Sequence, residues 1–73
     1  MKISNIKISA KPVHQDGNKF WKGYWVLKND AGDYIKETID ITRKSEYDAI
    51  SDAVKDAQVF AEQNNTILIT ERI

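Results

Sequence analysis

Seventy-three residues, 41% hydrophobic and 30% charged, with eleven Lys or Arg against eleven Asp or Glu, are enough for one small domain and no more. Balanced charge with this apolar content excludes a disordered polyelectrolyte, and the absence of cysteine excludes disulfides, a thiolate nucleophile and zinc–thiolate sites. No apolar run reaches the roughly 7–15 residues of a signal peptide or the roughly 18 of a membrane span, so a soluble, cytoplasmic domain without membrane association is expected.

Lys2 to Ser9 interleaves isoleucines with polar residues and reads as a strand, with Ile6 and Ile8 on one face and Ile3 on the other. Ala10 to Lys19 holds Pro12 and Asp16-Gly17-Asn18 and reads as a loop. Phe20 to Lys28 is aromatic and β-branched, a second strand. Asn29-Asp30-Ala31-Gly32-Asp33 reads as a tight hairpin with Gly32 in the left-handed position, and Tyr34 to Ile41 as the returning strand. Facing Asn29 with Asp33 sets Leu27 against Ile35, Trp25 against Glu37 and Trp21 against Ile41. That register puts Trp21, Trp25, Leu27, Ile35, Ile39 and Ile41 on a core face.

Ser45-Glu46-Tyr47-Asp48 resembles a capping box opening a helix of about 20 residues. Tyr47, Ile50, Ala53, Val54, Ala57, Phe60 and Ala61 form its apolar stripe, and Asn64-Asn65 its left-handed stop. Thr66-Ile67-Leu68-Ile69-Thr70 is the last strand, with Ile67 and Ile69 expected toward the helix. The order β-β-β-α-β closes most simply as an α+β domain. In it the helix is a right-handed crossover on one face of a four-stranded mixed sheet of order 3-2-1-4.

Charge divides along the chain. Through Lys44 there are nine bases and five acids; from Ser45 onward, two bases and six acids. The helix is expected to present Asp48, Asp52, Asp56 and Glu62 outward, a solvated face or, as a lesser alternative, a nucleic-acid mimic inhibiting a basic target. On the sheet face opposite the core the register collects Phe20, Lys22, Tyr24, Val26, Lys28, Tyr34 and Lys36. Such residues suit a protein interface, including one with a second copy, or a solvated face, since protein surfaces are always partly apolar. Rings interleaved with lysines also suit base stacking and phosphate neutralisation.

No group of residues reads as a catalytic, metal or cofactor site. His14 stands in a turn-rich segment with only Gln15, Asp16 and Asn18 nearby, the setting of a solvated side chain. Serines 4, 9, 45 and 51 have no base at informative spacing, Asp30 and Asp33 belong to a turn, and no glycine loop cradles a phosphate.

From Gly23 to Thr70, the strand pair around Asn29-Asp30-Ala31-Gly32-Asp33, the helix opening Ser45-Glu46-Tyr47-Asp48-Ala49-Ile50 and the closing Ile67-Leu68-Ile69-Thr70-Glu71 resemble the ribonuclease H-like fold. The resemblance implies carboxylates on the first strand, at the helix start and after the fourth strand, gathered around divalent metals. Glu46 and Glu71 match the second and third; the first strand holds no acid, with Asn5 the nearest oxygen donor. Two-metal hydrolysis is not expected without that ligand. Truncated, inactive versions of this fold in HicB-type antitoxins resemble the chain in length and element order. They usually carry a DNA-binding segment after the last strand, which this sequence does not show. Gly23-Tyr24-Trp25-Val26, Gly32 and the helix opening also resemble the arm-binding domains of phage-type integrases, which are usually basic. The expectation is a non-enzymatic interaction domain working through the outer sheet face. Its partner is expected to be a protein, with nucleic acid as the alternative.

Overall fold

The computed structural model describes residues 2–28 and 31–72, and among these the side chains of Lys2, Glu71 and Arg72 are not described. Five elements follow in order: β1 (Lys2–Gln15), β2 (Asn18–Lys28), β3 (Tyr34–Thr38), α1 (Glu46–Gln63) and β4 (Thr66–Arg72). The strands form one mixed sheet of order β3-β2-β1-β4 with α1 on one face, as expected. β1 is antiparallel to β2 and parallel to β4, and β2 is antiparallel to β3.

Alternation decides the two faces. Ile6 lies opposite Leu27, and Ile8 opposite Trp25; all four point to the helix and are buried. The helix meets them with Ala49, Ala53 and Ala57, spaced by four residues into one seam of small side chains. Small residues let the helix axis come close. At Gly23 a Cβ would run into the carbonyl of Ala49, so the glycine is required by close packing. Ile35, Ile39, Ile50, Val54, Phe60 and Leu68 close the rim. The Phe60 ring lies 5.0 Å from that of Trp25, tilted by 50°.

Ser45 has the extended backbone of an N-cap, but its side chain makes no capping hydrogen bond, so the expected capping box is not formed. Instead the Ala49 amide donates to the Ser45 carbonyl at 3.2 Å. At the other end Asn65 is left-handed, with φ 50°, and Asn64 Nδ2 donates to the Phe60 carbonyl at 2.8 Å. Tyr47, expected in the apolar stripe, is exposed, while Ala49 takes the buried place.

Three other expectations are corrected. Ala10 to Lys19 is not a loop: β1 and β2 continue through it to a two-residue turn. Asp16 (φ 51°) and Gly17 (φ 79°) are both left-handed there, the type I′ geometry whose twist matches paired strands. Pro12 is tolerated because β4 pairs β1 only as far as Ile8, leaving the rest of β1 an edge. The hairpin thus runs beyond the helix as an arm, and the molecule measures 45 × 20 × 18 Å.

β3 also ends sooner than expected, at Thr38. The Ile39 amide still donates to Gly23, but Trp21 pairs with Arg43 and not with Ile41. Between these pairs Lys22 stands against Asp40, Ile41 and Thr42, a bulge that turns Ile41 out to 52% exposure. Finally, β4 is turned over relative to expectation. Leu68 packs on the core, and Ile67 and Ile69 lie half-exposed on the outer face. Its parity follows from β1: buried Ser4 pairs with Leu68 and shares a hydrogen bond of 3.1 Å with the Thr66 hydroxyl. Part of the expected hairpin, Asn29-Asp30, lies outside the described residues; Gly32 is left-handed as expected, with φ 85°.

Candidate interaction surface

The outer face is built by the residues one step from each core position. From β3 across to β1 its rows read Tyr34, Lys28, Asn5; then Lys36, Val26, Lys7; then Thr38, Tyr24, Ser9. On the arm, Lys22 lies opposite Lys11 and Phe20 opposite Val13. Along β4, Ile67 and Ile69 continue the face beside Ile3 and Asn5. All seven residues expected on this face from the sequence are therefore there. Ile3, read on the side opposite Ile6 and Ile8, is there as well, and Lys7 follows by the same alternation. Lys11 joins them because its segment is strand and not loop, and Ile67 and Ile69 because β4 is turned over.

Five lysines share this face. Among the described side chains of its strand positions there is no carboxylate, the Glu71 side chain beside Lys7 being outside them; Asp40 stands 3.5 Å from the Lys22 ammonium. Lys11 and Lys22 stand directly opposite one another, an arrangement that is mildly unfavourable in a free protein. Two ammoniums rest over rings, Lys36 at 5.4 Å from Tyr24 and Lys28 at 5.9 Å from Tyr34. Tyr34 is the most exposed ring of the face, at 69%. Asn5, Lys7, Val26, Lys28 and Tyr34 line a concavity of about 370 Å³ with an apolar floor and two cations at its rim.

The acidic helix is less available than its sequence implies. Asp52 is held by Arg43, whose Nε donates at 2.7 Å and Nη2 at 3.1 Å. The hydrogen bond and charge of Asp52 raise the Arg43 pKa above its ordinary value. Asp56 Oδ2 accepts the Trp25 indole N–H at 2.8 Å, which leaves that buried donor satisfied. Asp48 and Glu62 remain exposed to solvent.

The residues matched to a metal-dependent site are not brought together. Asn5 lies on the outer face, whereas Glu46 opens the helix on the opposite face; the Glu71 side chain lies outside the described residues. Among the described residues no three His, Asp or Glu side chains are placed to hold a metal ion. His14 is exposed on the arm opposite Lys19. Among the described residues no helix is long and apolar enough to cross a membrane. Compared with known proteins, the chain matches no family model, no curated sequence and no solved structure.

Proposed function

We propose that this is a non-enzymatic interaction domain whose working surface is the outer face of the sheet. We take its partner to be a protein presenting carboxylates around an apolar centre. The observation that carries the reading is the concavity of Asn5, Lys7, Val26, Lys28 and Tyr34, with cations around an apolar floor and no described element of the fold over it. Rings and apolar side chains supply the desolvated centre of such an interface, and the lysines supply orientation and encounter rate.

Affinity capture with the immobilised domain tests this. Wild type should retain an acidic protein partner in moderate salt. Lys7→Glu with Lys28→Glu should lose it, and Asp48→Ala on the helix should keep it. Equal capture by the lysine variant would place the interface elsewhere.

A nucleic-acid reading is favoured by one specific feature, the directly opposed pair Lys11 and Lys22 in line with Phe20 and Tyr24. It requires binding of labelled single strands that weakens steeply with salt as counterions are released. Titration at low and moderate salt separates the two. Saturable strand binding abolished by Lys11→Glu with Lys22→Glu would replace the protein partner by nucleic acid.

A further inference from the structure

The sheet has unequal edges. β3 is only five residues long, carries Lys36 and Glu37, and ends in the bulge at Asp40 to Thr42. The free edge of β1 beyond Ile8 contains Lys11 and Pro12. Short length, charge, bulges and proline are the devices that keep a sheet edge from pairing with another chain. β4 has none of them over Thr66-Ile67-Leu68-Ile69-Thr70, a run without charge, glycine or proline. Among the described residues no strand lies on its far side.

That run is a palindrome about Leu68. Antiparallel pairing of two copies with Leu68 opposite the partner's Leu68 brings Ile67 against the partner's Ile69 and Thr66 against the partner's Thr70. Every position meets its own residue type or itself. β-Branched and threonine pairs are favourable cross-strand neighbours. A shift by two residues would instead set Ile67 against the partner's Glu71 in one direction, and in the other Thr66 against the partner's Leu68 and Asn65 against the partner's Ile69, losing the matched pairs either way. The palindrome therefore selects one register.

We propose that two copies of this chain join edge to edge through β4, making one continuous eight-stranded sheet about a two-fold axis at Leu68. The axis is perpendicular to the sheet, so both helices stay on one face and both lysine-bearing faces on the other. On the outer side the half-exposed Ile67 and Ile69 of each copy cover one another; on the helix side Leu68 meets the partner's Leu68. Charge favours this mode over stacking of outer faces, which would oppose the same five lysines. The formal net charge of zero adds no overall repulsion. An isologous contact of this kind is closed and does not propagate. The inference goes beyond the proposed partner surface, because it uses the strand edge and not the lysine-lined concavity.

The absence of cysteine makes the register directly readable. Opposed residues of an antiparallel pair have Cα atoms roughly 4.5–5.5 Å apart, within disulfide range. Leu68→Cys should oxidise to a covalent dimer. Ile67→Cys alone should not, since two position-67 residues would be offset by two residue steps, roughly 7 Å along the strand. An equimolar mixture of Ile67→Cys and Ile69→Cys should cross-link. Wild type should sediment at twice 8.4 kDa. Ile67→Lys with Ile69→Lys, both at half-exposed positions, should sediment as a monomer with unchanged near-ultraviolet circular dichroism. Wild type remaining monomeric at several hundred micromolar would overturn the proposal, as would position 67 cross-linking to itself as readily as position 68. A monomer whose partner capture still depends on Lys7 and Lys28 would overturn the dimer alone and leave the outer-face reading standing.

Discussion

The two faces of this sheet are written on the same strands in alternate residues. On the helix side Ile6, Ile8, Trp25 and Leu27 are nearly inaccessible, and the polar atoms among them are paired: Ser4 with Thr66 and the Trp25 indole with Asp56. One step along the chain, Lys7 follows Ile6, Val26 follows Trp25 and Lys28 follows Leu27, all on a face that no described element covers. One helix can cover one face of a four-stranded sheet, so a chain of this size concentrates its stability on that side. The other face is then constrained chiefly by strand alternation, and its chemistry is free to serve contacts outside the molecule.

The comparison breaks most visibly at Trp25. Replacing this side chain by alanine removes the largest buried group, its ring contact with Phe60 and the partner of Asp56. Trp→Ala in a core costs about 3–5 kcal/mol, and a domain of this length holds on the order of 4–11 kcal/mol in total. Trp25→Ala should be largely unfolded in urea concentrations that leave wild type native, as read by far-ultraviolet circular dichroism. Next comes Gly23→Ala. The added Cβ meets the backbone of Ala49, which cannot rotate aside, so the helix must lift from the sheet. Overpacking of this kind costs about 1–3 kcal/mol and should lower the urea midpoint without changing the slope.

Much of this contrast was legible in the sequence. The element order, the strand order and the pairing of Trp25 with Glu37 and Leu27 with Ile35 follow from turn chemistry and period-two alternation, and the structure has them. What was not legible has local physical causes. Pro12 reads as a loop signal because its edge position depends on where β4 stops pairing, a tertiary fact. Ile67-Leu68-Ile69 is apolar at both parities, so the run itself cannot say which side faces the helix; Ser4 and Thr66 decide it across 62 positions. The Asp40 to Thr42 bulge carries no glycine or proline to announce it. The arm, by contrast, had its signal in Asp16-Gly17, a type I′ pair flanked by residues able to form strands.

That arm gives a smaller and more local test. Gly17 holds φ 79° with open space where a Cβ would stand, so Gly17→Ala changes backbone strain and nothing else. About 1 kcal/mol is expected for an L-residue forced into this conformation. Because the arm lies beyond the helix, the loss should appear as faster amide exchange at Val13 and Phe20, with the core amides of Ile6 and Trp25 protected as in wild type. Equal loss of protection in both regions would mean that arm and core unfold as one unit.

The smallest effect on stability is expected where the largest effect on binding is proposed. Lys7 and Lys28 are exposed and flank Val26, and among the described side chains neither has an ion pair to lose. Surface substitutions of this kind fall within about 0.5 kcal/mol of wild type, and the Lys28 contact with Tyr34 is a weak exposed one. Lys7→Glu with Lys28→Glu should therefore shift the urea midpoint very little, while reversing the sign of the field at the rim of the concavity. If the outer face is a surface for an anionic partner, that one pair of changes separates folding from association: unfolding curves superimpose, and capture is lost. A large drop in stability from the same variant would mean that the lysines are held by interactions within the fold. The division between a structural face and a working face would then have to be withdrawn.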